Sequence, residues 1–169
     1  VSFLLARLDI KTTPIGAEII PGLELYGCYT REEVFTLVGR QTAEVKMQGT
    51  ASGAFNLPEH NAVLLFVTLN KSEKDFSPST QYNDYLINDE YFHWQSKNTD
   101  SHYNSGGRKY IEQPKTGIKI ILFVREEKKD GFGNTSPFHC FGLVDYVSSH
   151  DDFPMNVKWK LQKPAMAQY

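Results

Sequence analysis

The residues best suited to chemistry crowd into one stretch, Tyr82 to Gly107 (YNDYLINDEYFHWQSKNTDSHYNSGG). Tyr82, Tyr85, Tyr91, Phe92, Trp94 and Tyr103 are interleaved there with Asp84, Asp89, His93, Gln95 and Ser96. A site that grips a flat, hydrogen-bonding ring needs both kinds: aromatic faces sandwich the ring, and carboxylates or amides read its edge. Asp84 is an acidic acceptor suited to an amino group on the edge of such a ring. It suits an Asx-turn or a helix cap equally well. Trp94 fits a stacking surface or a core position, and His93 reads as a hydrogen-bonded structural histidine. Gln95 and Ser96 fit a pocket lining or the polar side of a ladder. Ser105-Gly106-Gly107 closes the stretch with the freedom for a sharp turn or a close backbone approach. The same residues also fit a strand, Tyr91 to Ser96, whose aromatics fill the core of a small β domain.

Other chemistries find less support. The five histidines, at 60, 93, 102, 139 and 150, have no metal-ligand spacing, and Cys28 and Cys140 form no CxxC pair. No phosphate-binding glycine loop and no Ser or Cys nucleophile motif is present. No cofactor and no metal is therefore expected. A strand running into Glu126-Glu127-Lys128 resembles the metal-binding half of PD-(D/E)xK nucleases. The second acid on a neighbouring strand is not evident, so an exposed charge cluster explains these residues more simply.

Elements that could position the central stretch are legible on either side of it. Thr30-Arg31-Glu32-Glu33 is a capping box that opens a helix carrying Val34, Phe35, Leu37 and Val38, and Gly39 ends it. Leu25 to Tyr29 and Ala43 to Met47 read as strands. Val63 to Leu69 and Lys119 to Arg125 are nearly continuous apolar runs and read as strands buried on both faces. Phe138 to Val147 reads as a strand bent at Gly142. Val157, Trp159 and Leu161 alternate with Lys158 and Lys160 as a half-exposed strand. Pro14, Gly16, Pro21 and Gly22 break up the beginning of the chain, and Asn70 to Thr80 is a polar loop. Five to seven strands with one or two short helices predict a mainly β (α+β) domain, curled into a barrel.

With 169 residues the chain is expected to form one domain over 25–169, preceded by a segment, 1–24, that serves as linker or first strand. Hydrophobic residues at 40% and charged residues at 22% exclude a disordered chain. No apolar run reaches membrane-spanning length, and two cysteines fit a reducing compartment, so a cytoplasmic location is expected. The chain starts at Val1, which fits a fragment or a trimmed product of a longer protein. A formal net charge of −2 argues against a strongly basic nucleic-acid surface, although Lys71, Lys74, Arg108 and Lys109 flank the central stretch and could hold phosphates.

Several motifs, in order, resemble one family: LYGCYTREEV, LLFVTLNKSEKDFSPSTQYNDYLI, FHWQS, RKYI, IILFVRE, FGLVDYVS and PMNVKWKL. It is a domain once catalogued as of unknown function, found at the C-terminal end of large bacterial proteins. Those proteins also carry a superfamily II helicase and often a phospholipase-D-type nuclease, as in SauUSI-type type IV restriction enzymes. The resemblance runs from about Leu25 to Pro164 and implies an SRA-like reader with a PUA-like β-barrel. Such a reader flips 5-methylcytosine or 5-hydroxymethylcytosine out of double-stranded DNA and targets a modification-dependent restriction system against phage. It implies no catalysis by the domain itself, which would work beside helicase and nuclease partners in the same or an associated chain. The implied base pocket is Tyr82, Asp84, Tyr85, Phe92, His93, Trp94, Gln95 and Ser96; Lys71, Lys74, Arg108 and Lys109 fall to the DNA backbone. Trp94 stands where SRA domains usually have Tyr, and the glycine turn lies further downstream. Two other classes fit the residues: an interaction or dimerisation module without base specificity, and the PD-(D/E)xK-type nuclease.

Overall fold

The structure is a computed structural model and describes residues 20–42, 53–71 and 82–169. The expected strand Ala43 to Met47, Lys74 and most of the segment 1–24 lie outside the described residues. Two long strands form the centre: β3 (Ala62–Asn70) and β6 (Lys119–Glu127), paired in parallel with Val63 opposite Ile120 and Thr68 opposite Arg125. Their unbroken apolar runs follow from burial on both faces. Val63, Leu65, Val67, Ile120, Leu122 and Val124 point into one core. Leu64, Phe66, Ile121 and Phe123 point into the other, where the rings of Phe66 and Phe123 stack at 4.9 Å.

The other described strands are β1 (Cys28–Tyr29), β2 (Ala54–Leu57), β4 (Tyr85–Leu86), β5 (Tyr91–Gln95), β7 (Phe138–His150) and β8 (Asn156–Leu161). The sheet runs β2-β3-β6-β7-β8-β5-β4, with β1 paired to β7 off that path. The class is mainly β with short helices. Among the described residues the barrel expected from the sequence is not closed, since β2 and β4 end the path. These edge strands have four and two residues, too short a pair of ladders to draw a sheet of this breadth shut. In β7 the register slips against β6, so that Leu122 faces Gly142 and Phe123 faces Cys140. Gly142 sits at φ 84°, the left-handed conformation that a bulge of this kind requires.

Among the described residues three short helices cover the faces. Helix α1 (Arg31–Leu37) starts at the capping box read from the sequence, the Thr30 hydroxyl accepting from the Glu33 amide, and it buries Val34 and Phe35. Helices α2 (Ser105–Ile111) and α3 (Gln113–Thr116) lie in the region expected to turn sharply. Ser105-Gly106-Gly107 is the first turn of α2, capped by Asn104, whose side-chain oxygen accepts from the Gly107 amide at 3.1 Å. Glycine is needed there for space: a Cβ at Gly107 would collide with the Ser101 carbonyl and the Met155 sulfur, and one at Gly106 with the Asp100 carboxylate. This close seating brings Tyr110 of α2 into the core against Trp94 and Trp159, with ring centroids 5.0 and 5.9 Å apart. Among the described residues no helix is long and apolar enough to cross a membrane.

Candidate functional site

A cavity of about 400 Å³ opens where the end of β3, the end of β5 and the residues before β4 converge. Phe66 and Thr68 come from β3, and Lys71 follows directly after it. Tyr82 and Asp84 arrive on the approach to β4, and Trp94 and Gln95 close β5. Ser96 to Thr99 form a further wall, and Arg31 at the start of α1 reaches in from the other core.

Asp84 is held firmly within the site. Its side chain is 5% exposed and that of Lys71 is 9% exposed. Oδ2 accepts from Lys71 Nζ at 3.0 Å, and Oδ1 accepts from the Gln95 amide at 2.9 Å. Lys71 folds back to donate as well to the Thr68 carbonyl. Burial pushes the Asp84 carboxyl above its usual range, while Lys71 and the Gln95 amide pull against that rise. The chain around Asp84 is pinned to β5 by further bonds: the Asn83 amide donates to Gln95 Oε1 at 2.6 Å, and His93 Nδ1 lies 2.8 Å from the Asn83 carbonyl. Gln95 Nε2 donates to Asn156 Oδ1 at 3.0 Å, which ties the arrangement to β8.

The remaining walls are aromatic or cationic. Trp94 is 4% exposed, so it is at once a wall of the cavity and a member of the core. The Arg31 guanidinium lies over the rings of Phe66 and Phe138, 4.6 and 5.2 Å from their centroids. Burial, and then the nearby Arg125, lower its pKa to about 10. Arg125 Nε donates to the Thr68 hydroxyl at 2.9 Å, fixing that wall from behind.

The sequence-predicted residues divide into groups. Tyr82, Asp84, Trp94, Gln95 and Ser96 line the cavity together. Phe92 does not: it is fully buried in the core, because β5 alternates and sends Phe92 and Trp94 inward. Tyr85 and His93 lie opposite each other on β4 and β5, with Tyr85 exposed, and their rings stack at 4.6 Å outside the cavity lining. Ser96 is buried, and its hydroxyl is spent on the backbone, accepting from the Met155 amide and donating to the Lys97 carbonyl.

Among the residues assigned to phosphates, Lys71 belongs to the cavity wall rather than to an open loop. Arg108 lies on α2 and pairs with Glu112 at 2.7 Å. Lys109 donates to Asn56 at 2.9 Å above the Tyr110 ring, and burial lowers its pKa. Arg31, Phe66 and Thr68 were not anticipated from the sequence. The signal for Thr68 is a polar residue near the end of a doubly buried strand. Glu126 and Glu127 are exposed at the end of β6, and among the described residues no three His, Cys, Asp or Glu side chains gather as a metal site.

This arrangement can enclose one flat ring, with a carboxylate and an ammonium group 3.0 Å apart facing it. The volume is near the lower end of the range of about 300–1,000 Å³ typical of small-molecule pockets. No curated protein matches the chain. One family model covers residues 23–168, that of a domain of unknown function, DUF3427, and the chain belongs to that family.

Proposed function

We propose that this domain reads modified cytosine, 5-methylcytosine or 5-hydroxymethylcytosine, in double-stranded DNA by taking the flipped base into the Asp84 cavity. The observation that carries the reading is the placement of Asp84, buried and held as an acceptor, in a ring-sized cavity beside Tyr82 and Trp94. Extruding a base costs a few kcal/mol, which stacking and edge contacts must offset. Asp84 accepts from N4, and the aromatic walls enclose the ring. The resemblance to the C-terminal domains of helicase–nuclease restriction proteins supports the same role, that of a targeting module in the cytoplasm with catalysis left to its partners.

The test is equilibrium binding to matched duplexes that differ at one cytosine. A buried methyl group contributes about 0.8 kcal/mol, so 5-methylcytosine should bind about fourfold more tightly than cytosine. Equal affinity for modified and unmodified duplexes would instead assign the domain to interaction or dimerisation. Incubation with Mg²⁺ or Mn²⁺ should leave the duplex intact, and cleavage abolished by Glu126→Ala would assign it to the nucleases.

A further inference from the structure

Lys71 changes the chemistry of the cavity. A loop lysine holding a phosphate would be hydrated and mobile, whereas this one is buried against Asp84. An ammonium group has three protons. Among the described residues two are committed, one to Asp84 Oδ2 and one to the Thr68 carbonyl. A carboxylate has about four lone-pair positions, and described residues fill two of those on Asp84, through Lys71 and the Gln95 amide. With respect to the described residues, the couple thus keeps one donor and an acceptor side by side, on groups 3.0 Å apart that line the cavity. The couple is neutral as a unit, which favours a neutral ring edge over a phosphate anion.

Resting on the reading above, we infer that Lys71 and Asp84 read the base as a couple, Asp84 accepting from the N4 amino group and Lys71 donating to N3. Cytosine presents a donor next to an acceptor on that edge, the complement of the couple. Thymine and uracil present the inverse, with O4 toward Asp84 and N3–H toward Lys71, and both contacts become repulsive. The couple therefore rejects the deamination product of a modified cytosine as well as selecting the ring class. The 5-substituent takes no part in this contact, so edge reading and modification reading are separate.

The experiment uses the unaltered protein and three duplexes carrying 5-methylcytosine, its 3-deaza analogue or its 4-deamino analogue. Each modified base stands opposite an abasic site, so that no pairing energy differs between them. A fourth duplex carries unmodified cytosine in the same place. The expected result is a loss of about tenfold for each analogue relative to 5-methylcytosine, the scale of one hydrogen bond to a charged group. In Lys71→Met the 3-deaza penalty should vanish while the 4-deamino penalty remains. Full-strength binding of the 3-deaza analogue by the unaltered protein overturns the Lys71 assignment and leaves base reading intact. Failure to distinguish 5-methylcytosine from cytosine, with both analogues bound equally, overturns base reading and this inference with it.

Discussion

Removing either partner of the Lys71–Asp84 pair should destabilise the fold far more than removing both. At 3.0 Å, and with an effective dielectric constant of about 20, the two charges attract by roughly 5–6 kcal/mol before desolvation is subtracted. Deleting one partner of a buried pair leaves an uncompensated charge and costs about 3–5 kcal/mol, while replacing both with apolar groups is often neutral. The two single variants should also differ. Freed from Asp84, Lys71 can swing its long stem and carry its charge to water. Asp84 has a short side chain, and its backbone is pinned beside Gln95 and Asn83. Lys71→Met should therefore cost more than Asp84→Leu, and the double variant less than Lys71→Met alone. Urea denaturation of the four proteins measures this, with a coupling of about 2–3 kcal/mol expected. Thermal scans should show each single variant melting roughly 6–20 °C lower. Additive single costs, or costs under about 1 kcal/mol each, would refute the buried-pair argument.

Tyr110 is fully buried, and its hydroxyl has no hydrogen-bond partner among the described residues. Tyr110→Phe removes that desolvated group and keeps the ring contacts, so it should raise stability by about 1 kcal/mol in the same denaturation assay. Acidification should weaken modified-DNA binding before ordinary carboxylates titrate, at about pH 3.9. The reason is that the Asp84 pKa is raised by burial, and the carboxyl loses its acceptor role as pH falls through that raised value. A binding-versus-pH profile of Asp84→Asn should lack this limb. Replacing Arg108 or Lys109 with alanine should weaken binding to all duplexes alike and lower the salt slope by about one, while a loss confined to modified DNA would contradict a phosphate role.

Much of the frame was legible because single residues determined it locally. The capping box at Thr30, the two doubly buried strands and the bend at Gly142 each have one dominant physical cause, and each lies where the sequence places it. What could not be read was long-range. Gly106 and Gly107 fit a sharp turn or a close approach to a ligand, since nothing local reveals that Ser101 and Met155 press against that helix. Phe92 looked equivalent to Trp94 as a ring-binding residue, and both do point inward, but only Trp94 sits at the strand end where the cavity begins. Lys71 looked like a loop cation, because its partner Asp84 lies thirteen residues away across a segment with no periodicity. Arg31 reaches the cavity from the opposite core, which no sequence spacing encodes.

In the proposed mechanism a modified cytosine leaves the duplex and enters the Asp84 cavity. The most direct measurement places 2-aminopurine immediately 3′ to the target cytosine and follows its emission as the protein is added. Extrusion removes the stacking neighbour, so emission should rise on saturation of the 5-methylcytosine duplex and stay low on the unmodified one at equal occupancy. Emission that is unchanged while the modified duplex is fully bound would contradict base flipping.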